Sequence, residues 1–400
     1  MIIGNACGAD LLGIYSVGFS IVLLSMAVES SLVSTPFTIF VQKDSSRHLG
    51  SRFGAALVNL SIICIGLSLI QAIAWLIARP FLDVSYLSIF SMVLVTSPML
   101  IARGFVRKFM LAIFQAGGLL VLDSIACFAQ IIGLALLAYY EMMTPANALL
   151  VVGTSNLLSF VSFLVVKRKL PRFAKQEIRE QISEDWSFGK WLVGEQTLNL
   201  MSVYGAPWLL ALLMDSRAVG IFAACFSITG LANPILIGLG NYLLPRFSND
   251  CANENDSRQT YWNFMSITFA LMSIFAVLCF VFANELLVVF YPEKSYVGYG
   301  MVLAILAIRV LVGSVGMVAH FALLAMQKPK ISLYASIVCI TILLICSLIL
   351  IPEYGPLGGA ISCLAAAVAE SLVMIISFQI YVQRKGTGRT GSQSFAKPIN

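Results

Sequence analysis

Charge is what this chain has least of. Only 11% of its 400 residues are Asp, Glu, Lys or Arg, and there are just two histidines. Soluble domains carry about 25% charged residues, so an ordinary water-covered globule is excluded. Nine cysteines are present at no ligand-like spacing, and with so little histidine no metal site is expected. Most of them (Cys64, Cys127, Cys225, Cys279, Cys339, Cys346, Cys363) fall within apolar stretches, where thiols behave as small hydrophobes; no disulfide is expected either. There is no Walker-type glycine loop, so ATP hydrolysis is not expected of this chain. A nucleophile elbow is also missing. Nothing in the sequence calls for a bound cofactor.

What fills the chain instead is hydrocarbon: 59% of residues are hydrophobic. Crossing the apolar core of a bilayer takes about 20 such residues in a helix. Eleven stretches meet that length, approximately 11–41, 53–77, 86–104, 117–140, 146–166, 188–214, 217–245, 260–284, 297–325, 330–351 and 356–382. They are continuous rather than alternating, which excludes a closed β-barrel. The expected class is all-α, a multi-spanning bundle of transmembrane helices.

Charge placement orients it. With the loop after the first span in the cytoplasm, 21 of the 25 Lys and Arg fall on that side; Arg79, Arg217 and Lys294 fall outside, and Arg309 lies within a span. The positive-inside rule selects this topology and puts the C-terminus in the cytoplasm. The formal charge of +6 is therefore an orientation signal, and no nucleic-acid partner is expected. The outward loops are short, the longest around Glu285–Val297, with no room for an outer domain.

Gly13-Ile-Tyr-Ser-Val-Gly-Phe-Ser-Ile21 returns 207 positions later as Gly220-Ile-Phe-Ala-Ala-Cys-Phe-Ser-Ile228. A weaker echo joins Pro145-Ala-Asn-Ala to Pro356-Leu-Gly-Gly. Such repetition in so apolar a chain indicates two duplicated helical lobes, the architecture of secondary transporters. The strong echoes open the first and seventh spans, an offset of six, so both point the same way and the lobes are related by an axis along the membrane normal. The expected division is a lobe of about five spans (1–166), a cytoplasmic linker (167–187), a lobe of six (188–385) and a cytoplasmic tail (386–400). A full span precedes the second echo and only Met1–Gly8 the first, so one N-terminal helix is expected to be lacking. The linker region, rich in both signs, reads as either an amphipathic surface helix or a solvated connector. Pro98, Pro207 and Pro234 interrupt spans. Gly205 and Pro207, in Tyr204-Gly-Ala-Pro-Trp208, are the hinge candidates, with a static kink as the alternative.

The stretch 188–248 resembles the start of the second lobe in polysaccharide flippases of the multidrug/oligosaccharidyl-lipid/polysaccharide exporter superfamily. Phe188-Gly-Lys-Trp191, Val219-Gly-Ile-Phe-Ala-Ala224, Ala232-Asn-Pro234 and Leu244-Pro-Arg-Phe247 carry the likeness. Gly8-Ala-Asp-Leu-Leu-Gly-Ile-Tyr15 and Arg103-Gly-Phe-Val-Arg-Lys-Phe109 are similar to the same family. The resemblance implies a MATE-like pair of pseudo-symmetric bundles, 5 + 6 spans here, in the bacterial inner membrane. It further implies transport of a polyprenyl-diphosphate-linked oligosaccharide to the outer leaflet, with membrane lipids and polysaccharide polymerase or export proteins as candidate partners.

Ionisable groups at mid-span cost about 2.5–3.5 kcal/mol each, so each needs a reason. Arg309 starts a helical stripe with Gly313, Gly316 and His320. It is a candidate for the lipid diphosphate, since a guanidinium fork matches phosphate oxygens; pairing with Glu370 is the structural alternative. His320 is also read as a hydrogen-bonded packing residue. Glu195, with Asn199 and Ser202, is the first candidate for a cavity acid, on a helix that by resemblance borders the cavity. Glu29, on a face with Ser25 and Pro36, is the second candidate for proton coupling. Coupling to a proton or a sodium gradient stays open. Arg103, Arg107 and Lys108, beside Phe105 and Phe109, form an inner-surface cluster that could gather a diphosphate headgroup or be topological charge alone. Asp123 is expected to reach the headgroup region. Rival functions are a cation-coupled multidrug exporter of the same superfamily and a membrane glycan polymerase or ligase; the short outer loops argue against the enzyme.

Overall fold

The computed structural model describes residues 2–38, 49–113, 115–166, 175–252, 257–292, 296–326 and 328–392. Within them the backbone is almost wholly helical and forms no strand. The helices are α1 (Ile2–Glu29, running on through a π-turn at Ser30–Ser34), α2 (Leu49–Ala78), α3 (Val84–Ala112), α4 (Ala116–Tyr139) and α5 (Pro145–Val166). There follow α6 (Lys175–Leu213), α7 (Ser216–Thr229), α8 (Asn233–Ala252), α9 (Ser257–Val281), α10 (Ala283–Phe290), α11 (Gly300–Ala325), α12 (Pro329–Tyr354) and α13 (Pro356–Ser392).

Among the described residues ten helical segments are long and apolar enough to cross a membrane. Ten of the eleven sequence stretches thus appear as expected. The eleventh, 188–214, does not stand out, because Lys190, Glu195, Gln196 and Asn199 dilute its hydropathy; it forms the second part of the 39-residue α6. That helix also absorbs the end of the expected linker. The longest outer segment is not all loop either, since α10 fills part of it and buries Leu287. The expected tail is helical as far as Ser392, and 393–400 lie outside the described residues, as do 167–174.

Local chemistry sets the helix ends. Gly8 holds φ 77° in the turn before the first echo, a conformation a side chain would resist. Asp215 accepts from the amide of Ala218 at 2.8 Å and caps α7. Gly355, at φ 57°, closes α12 before Pro356 opens α13. The helix passes unbroken through Pro98 and Pro207. Pro234, by contrast, stands at the start of α8 after a 3-10 turn, Gly230–Ala232. The face of α2 carrying Ile65, Leu69, Ile73, Leu76 and Ile77 is exposed, as a lipid-facing helix surface would be.

The chain separates into two compact units, Met1–Tyr204 and Gly205–Asn400. The division falls within α6, downstream of the expected linker; the early part of α6 meets α2 through Glu184 and Trp186 and the π-turn through Gly189. In the first unit α3 is central, packed by α1, α2 and α5, and α5 also packs on α4. Its core is ring-rich: Phe53 lies 4.5 Å from Phe109, and Phe37 5.7 Å from Phe105. In the second unit α11 is central, packed by α7, α8, α9 and α13, and α13 packs on α12. Tyr261 stacks on Phe378 at 4.1 Å there.

The two packing patterns are the same in chain order. The echo repeats at atomic detail as well. Tyr15 stacks on Phe19 at 5.8 Å and Phe222 on Phe226 at 6.3 Å. Ser20 donates to the Val17 carbonyl at 2.6 Å and Ser227 to Ala224 at 2.8 Å. Every one of these residues is related by the same offset of 207.

Candidate functional site

The first unit holds a carboxylate deep in its interior. Glu29 is 2% exposed and stands where α1 changes to the π-turn. There the Thr35 amide reaches back to the Ser30 carbonyl. The wider turn brings Ser34, five residues on, against Glu29, and its hydroxyl donates to Oε1 at 2.5 Å. Lys108 of α3 lies within electrostatic range of Glu29 and donates from Nζ to the Ser30 hydroxyl. Two candidates that the sequence assigned to different roles therefore share one site. A buried acid and a half-buried amine so placed offset part of each other's desolvation cost. Such π-turns occur frequently at functional sites.

One turn earlier, Ser25 donates to Ile21 at 3.0 Å. Its oxygen accepts from Gln71 Nε2 at 2.7 Å, and the same nitrogen reaches Ser97 at 3.3 Å. A polar seam thus runs along α1 from Ser25 to Ser34. Sequence reasoning found Ser25 and Glu29 by helical spacing but missed Ser30 and Ser34, since the five-residue spacing exists only in a π-turn.

Arg103 and Arg107 point to a different partner. Asp123 of α4 accepts from Arg103 at 2.7 Å and lies 3.5 Å from Arg107. Their charge is thereby partly spent within the protein. Phe105 and Phe109 are fully buried in the aromatic core, which corrects the expectation that they flank the basic cluster at a membrane surface. The reason is periodicity, for positions 105 and 109 face away from 103 and 107 on an α-helix.

In the second unit the guanidinium of Arg309 sits over the ring of Phe226, 5.8 Å from its centre, a cation–π arrangement. Among the described residues no ion pair joins Arg309 to the half-buried Glu370. The glycine stripe does admit a close neighbour at one point. A methyl group on Gly316 would overlap Ser371 of α13, whose hydroxyl donates to Val312 at 3.0 Å. Gly313 faces open space. His320 Nδ1 lies 3.1 Å from the Ser332 hydroxyl, in keeping with a packing role.

On α6, Asn199 is exposed and Ser202 bonds back to Leu198 at 3.1 Å. The side chain of Glu195 lies outside the described residues. Gly205 and Pro207 are buried, and a methyl group on Gly205 would press on Leu343. The hinge candidates therefore lie at the start of the second unit, one and three residues past Tyr204.

No family model matches the sequence, and neither does any curated protein. Solved structures do. One is an inward-facing multidrug resistance MATE family transporter of the MOP superfamily, 12% identical with a TM-score of 0.79, covering 96% of this chain and 94% of that one. Another is a MOP superfamily transporter from Pyrococcus furiosus, 13% identical, TM-score 0.68, covering 95% and 89%. The lipid II flippase MurJ, in an inward closed conformation, is 16% identical with a TM-score of 0.65, covering 94% and 86%. At these identities the likeness is one of fold: the chain is a multi-pass, all-α bundle of MATE type.

Proposed function

We propose that this protein is a secondary transporter of the bacterial inner membrane. It moves a polyprenyl-diphosphate-linked oligosaccharide from the cytoplasmic to the outer leaflet by alternating access. The observation that carries the reading is the Glu29–Ser30–Ser34–Lys108 cluster, a carboxylate and an amine kept inside a span of a MATE-type fold at the expense of helix regularity. Groups so costly to bury are retained for ion or substrate handling. Glu29 is the coupling acid, for a proton or sodium ion, with Glu195 as the second. Lys108 and Arg309 are the cations suited to a diphosphate. Arg103 and Arg107 serve it less directly, being engaged by Asp123. Gly205 and Pro207 supply flexibility where α6 leaves the first unit. The fold is shared with a protein described as a lipid II flippase, which supports a lipid-linked cargo.

Complementation tests this. The chain is expected to restore surface polysaccharide to a flippase-null bacterium in at least one glycan background, and Glu29→Ala to abolish the rescue. Full rescue by an Arg309→Ala, Glu195→Ala double variant would remove those two from the site. A second reading has its own support, because the multidrug transporter above shares the fold with a TM-score of 0.79. Ethidium efflux without any glycan phenotype would select it.

A further inference from the structure

A second buried acid lies away from Glu29, on the part of α6 that precedes its apolar stretch. Asp185 is 4% exposed, and its Oδ1 has no hydrogen-bond partner. Gln181, one turn earlier on the same face, also buries its Oε1 without a partner. Two buried acceptors on one helix face thus lack a donor, which is unfavourable. A protonated carboxyl is a donor as well as an acceptor.

The surroundings hold this acid in a built site. Asn59 of α2 hydrogen-bonds the carboxyl, donates to the Leu32 carbonyl of the π-turn at 3.3 Å and accepts from the Trp186 indole at 3.0 Å. Arg52 of α2 pairs with Glu184 at 3.3 Å. One cation thus stands near two acids, Glu184 and Asp185, of which Asp185 is the more buried. The described π-turn residues against this face, Ser31 and Leu32, are uncharged. Gly189 lies so close that a methyl group there would sit 2.5 Å from the Ser31 carbonyl oxygen.

We propose that Asp185 carries a proton in this conformation, shared with Gln181, and that losing it loosens α6 from α1 and α2: a proton-operated latch on the helix that leads into the second unit. The latch acts through α6 and stands whether or not the transported substrate is a glycan lipid. Burial supports it by raising the Asp185 carboxyl to about 7, with Arg52 and Asn59 opposing and Glu184 adding to the rise. An acid raised in the docked state strengthens docking fully below its undocked value, near 4. That contribution is lost as pH climbs toward 7. Acid therefore closes the latch and alkali opens it.

Trp186 is the reporter. The fluorescence difference between the full-length protein and its Trp186→Phe variant, both in lipid nanodiscs, is followed from pH 4.5 to 9. A sigmoidal change with a midpoint near 7 is expected, and Asp185→Asn should flatten it while keeping amide exchange across 178–189 slow at every pH. Arg52→Gln should move the midpoint up and Glu184→Gln should move it down, each by several tenths of a pH unit or more. A titration unchanged in Asp185→Asn, or midpoints that ignore both neighbours, would overturn the latch. No substrate is needed, so this outcome is independent of the complementation result.

Discussion

At the scale of single residues, Asn59 joins three groups. It donates to the Leu32 carbonyl, which Pro36 cannot serve, accepts from the Trp186 indole and hydrogen-bonds the Asp185 carboxyl. Asn59→Leu keeps the branched shape but leaves the Leu32 carbonyl and the Asp185 carboxyl without this donor, and a loss of about 1–3 kcal/mol per orphaned group is expected, measured as a lower melting temperature in detergent. Glu29 and Lys108 form a second such unit. Removing either leaves the other charge buried alone. Glu29→Gln and Lys108→Met should therefore each reduce transport at least tenfold, and the double variant should lose less than the product of the two, as read by a substrate-uptake assay. The sequence marked Glu29 as a mid-span acid and Lys108 as part of an inner-surface cluster, and could not pair them, because 78 intervening positions have no period that links them. Arg309 shows the converse. Its cost was legible in the sequence, but its partner is a ring of the echoed segment rather than the acid that seemed complementary.

Among elements, α6 departs furthest from its sequence reading. Composition divides it into a polar linker and a polar-tinged span, whereas one continuous helix runs through both. Charged residues lower hydropathy but not helix propensity; Lys, Glu and Gln are good helix formers. Gly189 seats this helix on the π-turn. Gly189→Val should force the two apart and raise amide exchange across 178–189 at least tenfold at pH 6, where the latch is otherwise shut. Pro207 withholds a backbone donor from the same helix. Pro207→Ala is expected to stiffen it, lowering transport severalfold while substrate affinity stays within twofold, as measured by separate binding and flux assays. The π-turn had a partial signal, since Pro36 has no N–H for the Leu32 carbonyl four residues back. What answers that carbonyl instead is Asn59, which is local to the turn only in space.

For the whole molecule, membrane topology is the testable quantity. Cysteine placed at the exposed Asp83 should react with an impermeant maleimide in intact cells, and cysteine at the exposed Arg179 only after permeabilisation; the reverse pattern would invert the assignment. What the sequence determined by itself was the class and the duplication. Burial of apolar helices in lipid depends on composition and length alone, and an echo of nine residues carries its stacked rings and its serine hydrogen bond wherever it is copied. Which buried charges meet was decided only by tertiary structure. Electrostatic energy depends on distance and local dielectric, and both are set by how α1, α2, α3, α4 and α6 pack, information that no single stretch of chain contains.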